Sequence, residues 1–272
     1  MEEMKRRFRG ILIYITKNPR VIISNIVLVI AIGVFLFAGY KLISIFSEYG
    51  EGKNEYKKLE QEVVAIEKVV DEETGEEKEY FKVDFKELKA KNSDVVAWIR
   101  FEQPDQISYP VVKGQDNDKY LKTTVEGKKN SSGAIFMDAN NTGDLSDRNT
   151  FIYGHNMKNG SMFGQLRKYK SKDFCKENPY FYVYTPDGKE LQYQVFAVAV
   201  VEDVAKSYTR VFATDDEYVK YLKYLQDIAL YNVEIELTAQ LQIISLSTCT
   251  NVTETQRLLV HGVKIGETVL GE

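Results

Sequence analysis

The sequence predicts a mainly β domain, a barrel or a sandwich with peripheral helices, behind one N-terminal transmembrane helix. Three observations carry that reading. Eight short runs rich in β-branched and aromatic residues follow one another from Ile107 onward, a stretch near the N-terminus holds no charge, and one amphipathic segment interrupts the strands.

The N-terminal end is basic. Lys5, Arg6, Arg7, Arg9, Lys17 and Arg20 face only Glu2 and Glu3, so residues 1–20 read as a cytoplasmic tail. Residues 21–40, VIISNIVLVIAIGVFLFAGY, are uncharged. At 1.5 Å per residue, about 20 helical residues span a hydrocarbon core of roughly 30 Å. Ser24 and Asn25 lie near its cytoplasmic end and Lys41 can snorkel at the other. The run exceeds a usual signal-peptide core and lacks a small-x-small cleavage site, so an uncleaved single-pass anchor is expected. The positive-inside rule keeps the N-terminus cytoplasmic and the rest of the chain extracellular.

Residues 41–79 read as a juxtamembrane stalk and linker. Leu59, Val63, Ile66 and Val70 recur at helical spacing, and DEETGEEKE has almost nothing to bury. The folded domain is therefore expected over 80–272. It opens with VDFKELKAKNSDVVAWIRF, a short helix with Asp84 as N-cap leading into a strand that carries Trp98 on an apolar face. The strand-like runs are ISYPVVK, GAIFMD, NTFIYGH, YFYVYT, ELQYQVFAVAVVE, NVEIEL, LQIISLSTC and RLLVHGVKI. Between the fifth and sixth, TDDEYVKYLKYLQDIA predicts a helix capped by Thr214, with Tyr218, Tyr221, Leu222, Leu225 and Ile228 as its apolar stripe.

A formal net charge of -4 argues against a nucleic-acid partner, which needs a cationic surplus on one face. The two cysteines and two histidines form no CxxC, HExxH or mixed cluster, so neither a metal nor another cofactor is expected.

Few residues are left to do chemistry. Cys249 ends the apolar run LQIISLSTC, where it reads equally as a nucleophile at a strand end or as an inert buried thiol. His155 ends NTFIYGH before the turn-prone NMKNGSMFG, which puts its imidazole at a rim, and thiol chemistry needs such an acid/base partner. His261, inside RLLVHGVKI, reads as structural. Arg257 opens that last strand, and antiparallel pairing would bring it back beside Cys249 as an oxyanion donor or leave it a solvated surface cation. Cys175, in KDFCKENPYFYVY, reads as a packing residue, and both thiols are expected to be free.

TFIYGHN, LSTC and the arginine of RLLVHGVKI, in that order behind an N-terminal anchor, resemble the sortase family over residues 80–266. SSGAIFMD and the helical insertion spanning 214–229 look most like class B. The resemblance implies an eight-stranded sortase-type barrel and a cysteine transpeptidase of the Gram-positive cell surface. Its thiol would cleave a Thr-containing C-terminal sorting signal, of Asn-Pro-x-Thr type, on secreted proteins. The acyl group would pass through a thioester to a peptidoglycan precursor or cross-bridge amine. It implies Cys249, His155 and Arg257 as catalytic residues, with Asn117, Leu121 and Ser247 on the signal-binding groove. One departure is Thr250, where many class B enzymes have an acidic residue; another is the short Cys249-to-Arg257 connection.

Two alternatives stand beside this. A pilin-polymerising sortase shares the chemistry but more often carries a second, C-terminal membrane segment, and the ending KIGETVLGE offers no such run. A non-catalytic membrane-tethered binding module would keep its activity without Cys249. A papain-like hydrolase is disfavoured, because there the cysteine precedes the histidine.

Overall fold

The computed structural model describes residues 19–70, 77–105, 107–250 and 252–270. The basic tail up to residue 18 and the middle of the expected linker, 71–76, lie outside the described residues. The chain divides into two units, Met1–Gly50 and Glu51–Glu272.

In the first unit the described residues belong to helix α1 (Pro19–Val63), which contains the charge-free run. Val29, Phe35 and Ile43 are among many large apolar side chains left exposed around it. A helical run that is apolar on every side suits a bilayer. By length and composition this one can cross a membrane.

The second unit begins well before Tyr80. In the last turns of α1, Tyr56, Leu59 and Val63 are buried. The Tyr56 hydroxyl donates to the Gly133 carbonyl at 2.7 Å and accepts from the Val125 amide at 3.2 Å. The Tyr56 ring meets Tyr109 edge-on at 5.3 Å. What reads in sequence as a solvated stalk is thus partly domain. Ile66 and Val70, expected on the same helix, lie instead on β1 (Val64–Val70), which pairs antiparallel with β2 (Glu77–Val83). The β-branched run favours a strand once a partner is available. Phe81 of β2 packs on Tyr184 and Trp98 at 4.8 and 6.5 Å, docking this small sheet onto the barrel.

Asp84 caps α2 (Phe85–Lys91), its carboxylate accepting from the Glu87 amide at 2.9 Å. Eight strands follow: β3 (Val95–Phe101), β4 (Ser108–Val112), β5 (Ile135–Met137), β6 (Asn149–Tyr153), β7 (Tyr180–Tyr184), β8 (Lys189–Glu202), β9 (Ile243–Cys249) and β10 (Gln256–Val269). They close into a barrel in the order β10-β8-β7-β3-β4-β5-β6-β9, which removes every free edge. The β4–β5 and β6–β9 pairs are parallel and the others antiparallel.

Cross-strand aromatic pairs set part of the register. Phe101, Phe181 and Tyr193 face one another across β3, β7 and β8 and stack at 5.0 and 5.2 Å. A side chain at Gly262 would collide with the Phe181 ring. Between β6 and β7, α3 (Lys172–Glu177) buries Cys175, the packing role expected of it.

Helix α4 (Asp215–Asp227) starts as expected, the Thr214 hydroxyl accepting from the Glu217 amide at 3.2 Å. Its stripe of Tyr218, Tyr221, Leu222 and Leu225 packs against Phe196, Ala197, Ile243 and Val263 of β8, β9 and β10. The run NVEIEL is not a strand. Its alternating Ile235 and Leu237 lean on this same cluster, and the barrel place it seemed to fill belongs to β3.

Candidate active site

Three strands bring the candidate residues to one end of the barrel. Parallel neighbours β6 and β9 run with Tyr153 opposite Ser247, and the Gly154 amide continues the ladder to the Ser247 carbonyl at 3.2 Å. His155 lies two residues past Tyr153 and Cys249 two past Ser247, so both emerge at the same height on strands about 4.8 Å apart. Gly154 allows the approach, since a side chain there would strike Ile135 and Phe163. On the other flank, β10 runs antiparallel to β9 and sets Arg257 directly opposite Cys249. Opposed residues share a face of the sheet.

Side chains pin this end together. The Asn156 amide nitrogen donates to the Cys249 carbonyl at 2.7 Å, tying the cysteine strand to the histidine loop. The Phe163 amide donates to the His155 carbonyl at 3.0 Å and closes that loop. Cys249 and His155 are both half-buried, and neither thiol in the chain is in a disulfide.

The His155 Nε2 lies 2.7 Å from the Leu121 carbonyl. A carbonyl only accepts, so Nε2 carries the proton and Nδ1 is the basic atom of the neutral ring. Among the described residues no hydrogen bond joins imidazole to thiol, so proton transfer between them requires the ring to work from Nδ1 or to leave Leu121. Arg257 donates from Nη1 to the carbonyls of Glu254 and Gln256, at 2.6 and 3.2 Å, and from Nη2 to the Asp203 carboxylate at 3.3 Å. These contacts hold the guanidinium at the barrel end instead of leaving it a free surface cation.

The expected groove residues divide. Leu121 is 37% exposed and adjoins the histidine through its carbonyl. Asn117 is half-buried, its side chain donating to Asp138 at 3.2 Å and accepting from the Ala139 amide at 2.8 Å. Ser247, expected on the groove, is only 3% exposed. Its hydroxyl bonds to that of Tyr208 at 2.8 Å, and Tyr208 stacks on Phe151 at 5.3 Å. Burial raises the Tyr208 pKa, with the Ser247 bond opposing, so the phenol stays protonated. Thr250, the departure after the cysteine, shapes the turn: its hydroxyl accepts from the Val252 amide at 3.2 Å and its amide donates to Gln256.

The structure adds Asn156, Tyr208 and Asp203 to this end of the barrel, and a buried carboxylate deeper in, Asp138, whose amide donates to the Phe151 carbonyl at 2.9 Å. Adjacency to His155 could have singled out Asn156. Tyr208 and Asp203 lie in a segment without periodicity, and Asp138 reads only as the end of a strand.

A closed barrel with a half-buried cysteine at one strand end, an arginine opposite and a histidine alongside defines a thiol enzyme of the acyl-transfer type. Known proteins agree. The family model of the Sortase domain matches residues 101–265. Sortase B of Listeria monocytogenes is 33% identical over 222 residues, covering 81% of this chain and 87% of that protein. Sortase B of Staphylococcus aureus is 28% identical over 244 residues, covering 89% and 96%. The crystal structure of sortase B from Bacillus anthracis in complex with AAEK1 superposes with a TM-score of 0.69 at 32% identity, covering 81% of this chain and 99% of that one. The chain belongs to the sortase family, as a class B member, and is a cysteine transpeptidase.

Proposed function

We propose that this enzyme cleaves an Asn-Pro-x-Thr type sorting signal on secreted proteins and joins the new C-terminal threonine to a cell-wall amine. With its proton passed to His155, Cys249 Sγ attacks the threonine carbonyl and forms the C–S bond, while Arg257 donates to the oxygen as it becomes an oxyanion. The C–N bond then breaks as His155 gives its proton to the leaving amine. An incoming amine attacks the thioester, His155 takes its proton, the new C–N bond forms and the thiolate leaves. Asn117 and Leu121 border the signal, with Ser247 beneath through Tyr208. The observation that carries this reading is the register: Arg257 opposite Cys249, and His155 level with it on the parallel neighbour.

The apolar part of α1 serves as the anchor over 21–40, with residues 1–20 in the cytoplasm and the barrel outside. The basic tail and the positive-inside rule support that orientation.

The test is cleavage of a quenched fluorescent Asn-Pro-x-Thr peptide with and without a short peptide amine of the kind found in peptidoglycan cross-bridges. Cleavage and an amine-dependent ligated product are expected, both lost in Cys249→Ala. A peptide left intact by the wild-type enzyme contradicts the signal, and cleavage by Cys249→Ala contradicts the nucleophile.

A further inference from the structure

We propose that Asp138 is a positioning residue that fixes the spacing of two walls of the substrate groove through one buried carboxylate. The proposal rests on the sorting-signal reading for the assignment of the groove and for its kinetic readout.

Asp138 follows β5 and is 1% exposed. Its Oδ2 accepts from three segments that no backbone ladder unites there: Asn117 Nδ2 at 3.2 Å, the Tyr153 hydroxyl at 2.8 Å and Arg210 Nη1 at 2.8 Å. Its Oδ1 accepts from the Asn140 amide at 2.9 Å and the Asn140 side chain at 3.0 Å. Burying a carboxylate is costly, and an apolar residue of similar size would often serve stability as well. Five donors offset that cost, and what they join is specific.

Asn117 leads into the turn 119–121, whose Leu121 carbonyl holds the His155 imidazole. Tyr153 lies two residues before His155. Arg210 belongs to the connection between β8 and α4, which also supplies Tyr208 against Ser247, two residues before Cys249. One carboxylate therefore ties the wall that docks the histidine to the wall that leans on the cysteine strand, with β6 between them. Neither wall is itself a barrel strand; each has a single-sided tie to the barrel, the Ala134 amide to the Tyr120 carbonyl at 2.9 Å and the Asn149 side chain to the Thr209 carbonyl at 3.0 Å, whereas the Asp138 carboxylate bonds to both.

The experiment combines hydrogen exchange, kinetics and thiol alkylation on Asp138→Asn, which keeps the shape and removes the charge. Amide exchange at Leu121 and at Thr209 should quicken about tenfold, with β9 amides within about twofold of wild type. KM for the Asn-Pro-x-Thr peptide should rise about tenfold, with kcat within about threefold. The rate of Cys249 alkylation by iodoacetamide should stay within about twofold, because the hub touches no reacting atom. Unchanged exchange at either wall, or loosened walls with unchanged KM, overturns the proposal. If Asp138→Asn does not fold, Arg210→Gln carries the test, and quickened exchange confined to 206–210 overturns it. A wild-type enzyme that leaves the peptide intact contradicts the signal assignment alone, and exchange at the two walls still decides for or against Asp138.

Discussion

Strands β9 and β10 carry two facing pairs on the same side of the sheet, Cys249 with Arg257 at the rim and Ser245 with His261 four residues deeper. The rim pair is half-buried and held by hydrogen bonds to loops. The deeper pair is sealed. His261 is fully buried, its Nδ1 bonded to the Ser245 hydroxyl at 2.8 Å, and Ser245 donates on to Asn149. Burial alone pushes the His261 pKa down to about 3, so it stays neutral and structural. The two histidines differ in the same way: His155 is half-buried at the end of β6, whereas His261 is sealed within β10.

The comparison breaks most visibly at the two histidines. His155→Ala should lower kcat/KM for the signal peptide by about 10²–10⁴-fold, the usual worth of a general acid–base. His261→Gln, measured per folded enzyme near neutral pH, should stay within about threefold. Parity between the two variants would erase the distinction. At the rim pair, Arg257→Ala should cost about 10²–10³-fold in kcat, as loss of an oxyanion donor does.

The buried histidine also has a stability signature. Its folded pKa lies below its unfolded value, so below about pH 6.5 the unfolded chain binds the extra proton and stability falls with pH, down to about pH 3. By pH 5 the loss from this group is about 2 kcal/mol, and His261→Gln should flatten the denaturation profile by that amount between pH 7 and 5. An unchanged slope would mean that the site admits water or a proton. The smallest effect is expected at the second thiol. Cys175→Ala should cost about 1–2 kcal/mol of stability from lost packing and leave turnover per folded enzyme unchanged.

Local physics made much of this readable in advance. The uncharged run marks the membrane-length helix, Asp84 and Thr214 cap their helices as read, and the short Cys249-to-Arg257 connection gave their antiparallel pairing. What stayed hidden depends on partners far along the chain. Nothing local in NVEIEL tells an alternating strand from an extended segment lying on α4, and Tyr56 looks like stalk until Tyr109, Val125 and Gly133 meet it. The parallel β6–β9 pairing joins residues almost a hundred positions apart. Asp138 collects its donors from segments before and after it, and Ser247 turns to Tyr208, so neither role has a periodicity to betray it.

The central claim, that Cys249 at the rim is the nucleophile, is tested most directly by trapping the acyl-enzyme. Enzyme quenched in acid during turnover of the Asn-Pro-x-Thr peptide should carry the acyl mass on the digest fragment containing Cys249. None should appear on the fragment containing Cys175 or in Cys249→Ala. An adduct elsewhere, or cleavage persisting in Cys249→Ala, would contradict the account.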